Sequence, residues 1–385
     1  MSAQAFWLAW AQIPDVGAIL MQRLEAEFGS LAMAWTASVS ALQQVTGIGT
    51  VTAETIDQYR RQIDPLTFFE HHLQSNPQFW TLADADYPDW LREIADPPPV
   101  LYYRGNVNLL ENQGVVPMIA MVGTRHPSDY GRRWTRRIAT SLTQAGVSIV
   151  SGLAEGIDTE AHQSCLAAEG RTIAVLGTGV DQVYPTSNRL LSRQIARQGL
   201  LLSEFPAGTK PDRSHFPRRN RIIAGLCRAT LVMEAPKKSG ALITARLAND
   251  YGREVYVLPG SLDNPRSQGC LHLLDQGAQI ILGESELLER LGTLPQFLDR
   301  LNPMAVGQAG QPDQPGQLSL LTAMPPVELE PELKQVFQRV PLEPIAVDTI
   351  VQQAGLETGT VLSALAQLEM MGLVSQLPGM RYQRG

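Results

Sequence analysis

Val115-Val116-Pro117-Met118-Ile119-Ala120-Met121-Val122-Gly123 is an apolar run that stops on a glycine. A continuous run of this length, with no polar alternation, predicts a strand buried on both faces. Five more runs follow the same plan. Val147–Val150 precedes Ser151-Gly152, Thr172–Leu176 precedes Gly177, and Leu200–Leu202 precedes Ser203-Glu204. Ala229–Met233 precedes Glu234, and Val255–Leu258 precedes Pro259-Gly260. Helical patterns lie between them. Strand and helix alternating over residues 76–297 predict an α/β fold, a Rossmann-like doubly wound parallel sheet. Such sheets bind ligands outside the carboxyl ends of their strands. The residues just past each run are therefore the candidate site residues.

Two different patterns flank this region. Residues 1–75 read as a bundle of short amphipathic helices. Phe6, Trp7, Leu8 and Trp10 begin one apolar run, and Pro14-Asp15-Val16-Gly17 starts the next helix. Leu42-Gln43-Gln44-Val45-Thr46-Gly47-Ile48-Gly49 has the form of a helix-hairpin-helix turn in a SAM-like bundle. Its amides can face a phosphate, as free N–H groups at helix starts do, or the turn can serve packing alone. Residues 298–324 read as a flexible linker, because Gly307 to Gln317 is rich in Gly, Pro and Gln and carries one charge. Residues 325–385 predict a winged helix. Helices are expected at Glu332–Val340, Val347–Ala354 and Gly359–Met371, then a hairpin over Leu373–Tyr382. The recognition segment from Thr358 to Met371 carries no charge except Glu369. That composition favours contact with protein over reading of duplex.

The bulk numbers narrow the class. A chain of 385 residues with 44% hydrophobic content can form two or three domains. No apolar run reaches the roughly 20 residues that span a bilayer. The N-terminus lacks a signal-peptide pattern, so a cytosolic protein without membrane contact is expected. Cys165, Cys227 and Cys270 are far apart, which predicts buried free thiols rather than a disulfide framework or zinc site. A net charge of -7 argues against coating duplex DNA over the whole surface, yet leaves room for one local basic groove.

That groove has a candidate. Arg213 begins a stretch that continues through His215-Phe216-Pro217-Arg218-Arg219-Asn220-Arg221, with four arginines around one aromatic ring. Guanidinium forks hold phosphate, and an aromatic face can stack on a base. After the first strand, Gly123 permits close approach, while Arg125 and Ser128 can reach a phosphate at the next helix start. After the second strand, Ser151 and Gly152 point to the same edge. Ser239-Gly240 opens another helix with free amides. Together these edges suggest a groove for several nucleotides. Asp158 and His162, four apart, read either as an acid/base pair or as a helix-stabilising contact, the second being favoured because no nucleophile stands beside them. No GxGxxG, Walker, HExxH or GxSxG pattern occurs. No cofactor, metal or covalent catalysis is expected.

The series of motifs resembles the DNA-processing protein A (DprA/Smf) family. It runs through Gly123-Thr124-Arg125-x-x-Ser128-x-Tyr130-Gly131 and Ser151-Gly152-Leu153-Ala154-x-Gly156-Ile157-Asp158. It continues through Gly177-Thr178-Gly179-x-Asp181-x-x-Tyr184-Pro185, Phe216-Pro217-x-Arg219-Asn220-Arg221 and Ser239-Gly240-x-Leu242-Ile243-Thr244. The resemblance implies a protein, usually a homodimer, that binds single-stranded DNA without sequence preference. It also implies protection of incoming strands during natural transformation and loading of the RecA recombinase on them. It places the strand-gripping roles on Arg125, Arg213 and Phe216. The alternative is a related Rossmann-like enzyme, a nucleoside-monophosphate phosphoribohydrolase. Such enzymes carry a Pro-Gly-Gly-x-Gly-Thr loop, and Pro259-Gly260-Ser261 is the nearest stretch here. A dinucleotide-dependent oxidoreductase is a third reading, disfavoured by the missing fingerprint.

Overall fold

A computed structural model describes residues 3–76, 78–292, 331–341, 345–370, 374–377 and 381–384. The linker expected over 298–324 lies outside the described residues, as do the junctions on either side of it. The chain divides into two compact units, 1–308 and 309–385.

The first unit is built on a nine-stranded sheet. Its strands are β1 (Phe79–Thr81), β2 (Val100–Gly105), β3 (Met118–Gly123), β4 (Ser148–Ser151) and β5 (Thr172–Val175). They continue with β6 (Leu200–Ser203), β7 (Ala229–Glu234), β8 (Glu254–Val257) and β9 (Gln279–Ile280). All six strands expected from the apolar runs are present, and they pair in parallel. The sequence reading missed three. β1 and β2 add to one edge in antiparallel register, and β9 adds to the other in parallel register. The order is β1-β2-β6-β5-β4-β3-β7-β8-β9. From β3 the chain steps outward to β6, then returns to β3's other side with β7. The β3/β7 boundary is thus the point where the winding reverses, and a crevice opens there at the carboxyl ends.

Alternate residues of β3 feed two different cores, as a strand's period of two requires. Met118, Ala120 and Val122 join Ile222, Ile223, Ala245 and Ala248 on one face. Ile119 and Met121 join Ile138, Leu142, Ile157 and Ala161 on the other. The first core is continuous with the N-terminal helices through Trp7, Trp10, Met21, Leu42 and Ile56. Those helices are Ala3–Trp10, Ala18–Phe28, Leu31–Thr36, Val39–Leu42, Thr50–Arg60 and Pro65–Ser75. The hairpin read at 42–49 forms between the last residue of one helix and the N-cap Gly49 of the next. Gly47 takes a φ of 95° there, a region that side chains other than glycine rarely enter.

Cys165, Cys227 and Cys270 are free and buried, as expected. The second unit contains helices Pro331–Arg339, Val347–Ala354 and Thr358–Met370. Strands β10 (Ile345–Ala346), β11 (Val374–Leu377) and β12 (Arg381–Arg384) pair in the order β10-β12-β11. Its own core holds Val336, Ile350, Val361, Leu365, Leu368 and Tyr382. This is the winged-helix arrangement. No described helix is long and apolar enough to cross a membrane.

Candidate nucleic-acid interface

The crevice at the β3/β7 boundary is a groove of about 640 Å³. Its walls come mainly from the loop after β3, the loop after β7 and the helices His215–Leu226 and Gly240–Asp250, with Ala154, Asp158, Tyr184 and Arg213 completing them. The loop after β3 turns tightly against its neighbours. A Cβ on Gly123 would lie 2.5 Å from Ile157 and 2.9 Å from the Glu234 carbonyl oxygen, so only glycine fits. The next amide, of Thr124, donates to that same oxygen at 2.6 Å. Arg125 follows, exposed in the groove.

Charge is concentrated on a few of the available cations. Arg125, Arg213 and Lys238 line the groove, are exposed, and form no ion pair among the described residues. Phe216 is half-buried in the same groove, with its ring centroid 5.4 Å from that of Tyr184. Ser239 and Gly240 stand at the groove wall, where the Ser239 hydroxyl caps the helix Gly240–Asp250 by accepting from the Ala241 amide.

Arg219 forms the floor. It is 5% exposed. Its guanidinium donates to the carbonyl oxygens of Gly152 (2.7 Å) and Val175, and to Asn220 Oδ1 (3.2 Å). Asn220 in turn donates to the Gly240 carbonyl at 3.2 Å, tying the two groove helices together. Burial lowers the Arg219 guanidinium to about 10, Asp158 opposes that shift, and neighbouring Arg125 adds to it. The group still carries its proton at neutral pH.

Several residues expected at the ligand edge face inward instead. Ser151 is fully buried and donates to the Met121 carbonyl at 2.6 Å. Gly152 is buried as well, its amide given to Asp158 at 3.1 Å. Ser128 is engaged with Glu234 through both its amide (2.7 Å) and its hydroxyl (2.8 Å). Arg221 is bidentate to Glu204 at 2.9 Å on both nitrogens and also pairs with Asp96 at 3.3 Å. Arg218 pairs with Glu204 at 2.9 Å. Both arginines face a second groove, of about 1070 Å³, between this helix and the N-terminal helices. The sequence shows four arginines, but it cannot show that one carboxylate just past β6, Glu204, pairs with two of them.

Asp158 and His162 do not pair with each other. Asp158 accepts from the amides of Gly152 and Ala154, and burial raises its pKa. His162 Nδ1 lies 2.7 Å from the Thr172 hydroxyl, which itself donates to the Ile149 carbonyl. A hydroxyl has one proton, so Nδ1 is the donor in this contact. Burial, reinforced by Arg219, lowers the imidazole to about 3. Neither the acid/base pair nor the direct helix contact is formed.

Sequence reasoning missed Lys238, Tyr184 and His126 as groove residues. Lys238 did leave a trace. It belongs to the pair Lys237-Lys238, in a chain with only two other lysines, and that pair sits just past β7.

The family described as DNA recombination-mediator protein A matches residues 78–292, and the DprA winged helix domain matches residues 321–380. The Protein Smf of Synechocystis sp. is 51% identical over 100% of this chain and 99% of its own length. The X-ray structure of DNA processing protein A from Streptococcus pneumoniae superposes with a TM-score of 0.65 at 34% identity, covering 74% of this chain and 96% of that one. A structure of the Helicobacter pylori protein, reported for its single-stranded DNA binding mode, gives a TM-score of 0.50 at 33% identity, covering 56% of this chain and 95% of that one. The family's sequence pattern, its parallel sheet and its winged helix all meet in this molecule, and the chain belongs to the DNA processing protein A (DprA/Smf) family.

Proposed function

We propose that this protein binds single-stranded DNA without sequence preference, through the groove at the β3/β7 boundary. The observation that carries the reading is the set of exposed cations without ion pairs, Arg125, Arg213 and Lys238, lining the same groove as the Phe216 ring. Unpaired cations are free to take phosphates and release counterions. A ring face stacks on any base and so carries no sequence preference. Gly123, Ser239 and Gly240 let the backbone come close, while Arg219 and Asn220 fix the floor. Ser128, Ser151 and Gly152 hold the loops from behind, and Arg218 and Arg221 border the neighbouring groove.

Family membership supports the rest of the reading. A homodimer would hold the strand and present it to the RecA recombinase for loading, in natural transformation and recombination, with no turnover of the DNA. The mononucleotide-hydrolase alternative lacks its Pro-Gly-Gly-x-Gly-Thr loop at Pro259-Gly260-Ser261. Fluorescence anisotropy with labelled oligonucleotides of mixed sequence tests the reading. Similar affinities across sequences, with no base released from mononucleotides, are expected. Release of free base, or binding confined to one sequence, would overturn it.

A further inference from the structure

The loop that carries Arg125 is held at both ends by one residue, Glu234 at the end of β7. The Thr124 amide donates to the Glu234 backbone oxygen at 2.6 Å. At the loop's other end the Ser128 amide donates to Glu234 Oε2 at 2.7 Å, and the Ser128 hydroxyl donates to Oε1 at 2.8 Å. Gly156 packs against the backbone between these anchors. A Cβ there would lie 2.4 Å from the Thr124 carbonyl oxygen and 2.6 Å from the Arg125 carbonyl carbon. The Asn264 side-chain amide also donates to Oε1, at 3.1 Å, and the Tyr130 hydroxyl donates to the Pro259 carbonyl at 3.0 Å. The loops after β3 and β8 are thus tied together through the end of β7.

The chemistry of the anchor calls for a carboxylate. Glu234 is 2% exposed and forms no ion pair among the described residues. Burying such a group costs stability. The positive end of the helix Asp129–Gln144, whose N-cap is Ser128, offsets part of that cost. The Ser128 amide, the Ser128 hydroxyl and the Asn264 amide all point their protons at it. Both oxygens of a carboxylate accept, whereas a side-chain amide accepts on one and donates on the other side. Gly131 leaves the room: a Cβ there would stand 2.5 Å from Oε2. The Glu234 side chain lies behind the groove wall and does not line the groove itself.

Arg125 is exposed and forms no ion pair among the described residues, so its place in the groove is set by the backbone it stands on. A cation presented by a fixed backbone loses less freedom on binding than one on a loose loop. We propose that Glu234 is a positioning residue for DNA binding: it holds both ends of the loop 124–128 and so presents Arg125 to a phosphate of the strand, without touching the strand. This rests on the single-stranded DNA reading above. The role has a signature that packing alone does not have. A loosened loop loses a phosphate contact, and one such contact is worth about 0.7 in the salt slope for a single strand, or roughly fivefold in affinity for each tenfold of salt. A packing defect elsewhere lowers stability and leaves the slope of the folded protein where it was.

The test uses the full chain, labelled oligothymidylate and salt titrations of the parent, Glu234→Gln, Gly131→Ala, Arg125→Ala and the double variant Glu234→Gln/Arg125→Ala. Glu234→Gln keeps the volume and removes one acceptor oxygen. Gly131→Ala keeps the carboxylate and displaces it, and so carries the test if the first variant does not fold. Either should bind roughly fivefold more weakly than the parent at about 0.1 M salt, with a slope shallower by about 0.7 and a loss that fades toward about 1 M. The double variant should bind no worse than Arg125→Ala alone, since residues that act through one contact are not additive. Amide hydrogen exchange should quicken over 124–128 and stay slow in β3. A parent-like slope in Glu234→Gln or Gly131→Ala, beside a shallower one in Arg125→Ala, would overturn the positioning role and leave the groove reading standing. Additive losses in the double variant would also overturn it, because Glu234 would then act through something other than Arg125. A parent that fails to bind, or an Arg125→Ala slope equal to the parent's, would overturn the groove reading and the positioning role together.

Discussion

The helix His215–Leu226 separates two grooves, and the larger of them is the poorer candidate. The groove facing the N-terminal helices has about 1070 Å³ and is lined by Arg218 and Arg221. The groove at the sheet's switch point has about 640 Å³ and is lined by Arg125, Arg213 and Lys238. Both hold cations. In the larger groove Glu204 takes the two arginines of this helix, and Asp96 adds to Arg221. At the switch point no carboxylate does so among the described residues. What distinguishes a phosphate track from a structural ion network is therefore the availability of charge, not the volume or the number of arginines.

The most severe way to break this comparison is to remove Glu204. Its side chain is 3% exposed and balances the buried Arg221. Removing one partner of a buried pair costs about 3–5 kcal/mol, and here Arg221 would keep only the half-exposed Asp96 as a partner. Glu204→Ala should show this as a large loss of stability in denaturant unfolding. A variant as stable as the parent would mean that Arg221 is not held by Glu204, and would return that arginine to the list of available cations.

The next effect concerns the ring rather than the charges. Phe216→Ala should weaken single-stranded DNA binding by about 1–3 kcal/mol, the value of one stacked base. The salt dependence should hardly change, because no phosphate contact is lost. The competing role is packing, since Phe216 also contacts the backbone near Gly177. If thermal stability falls while the folded protein keeps its affinity, Phe216 is a packing residue and Tyr184 becomes the candidate stacking ring.

A paired substitution sharpens the contrast between the grooves directly. Arg125→Ala should lower the slope of log affinity against log salt by about 0.7, the effect of one lost phosphate on a single strand. Arg218→Ala should leave the slope close to the parent's, because that guanidinium is already occupied by Glu204. Equal changes in slope for the two variants would erase the distinction drawn between the grooves.

The sequence carried the central architecture and only part of the site. Six strands were legible because each is a buried apolar run cut off by a glycine, serine, proline or acid. β1, β2 and β9 were not. They are short or half-exposed, and their pairing (β1 with β2, β2 with β6, β9 with β8) defines them more than any pattern of their own. Arg125 and Arg213 were legible as basic residues just outside the sheet. Ser151 and Ser128 misled because a hydroxyl after a strand can cap, brace or bind, and only the fold shows that Met121 and Glu234 already occupy these two. Glu204 lies 14 residues before Arg218 and Asp96 lies 125 before Arg221, so the pairing that neutralises this cluster left no local signal.

The smallest expected effect concerns the second unit. The winged helix has a core of its own around Ile350, Val361, Leu365 and Tyr382. Its helix Thr358–Met370 contains no lysine, arginine or histidine. A helix without cations makes few phosphate contacts, so it adds little to counterion release. A chain ending at Gly316, within the stretch of linker composition, should keep the first unit folded, since that unit closes its cores without the second. Its affinity for single-stranded DNA and its salt slope should both stay near those of the full chain. Arg381 and Arg384 on β12 are the residues that could prove this wrong. A loss of affinity greater than roughly tenfold, about 1.4 kcal/mol, accompanied by a shallower slope, would assign the wing to the DNA track. The comparison would then extend from two grooves of one unit to two units sharing one strand.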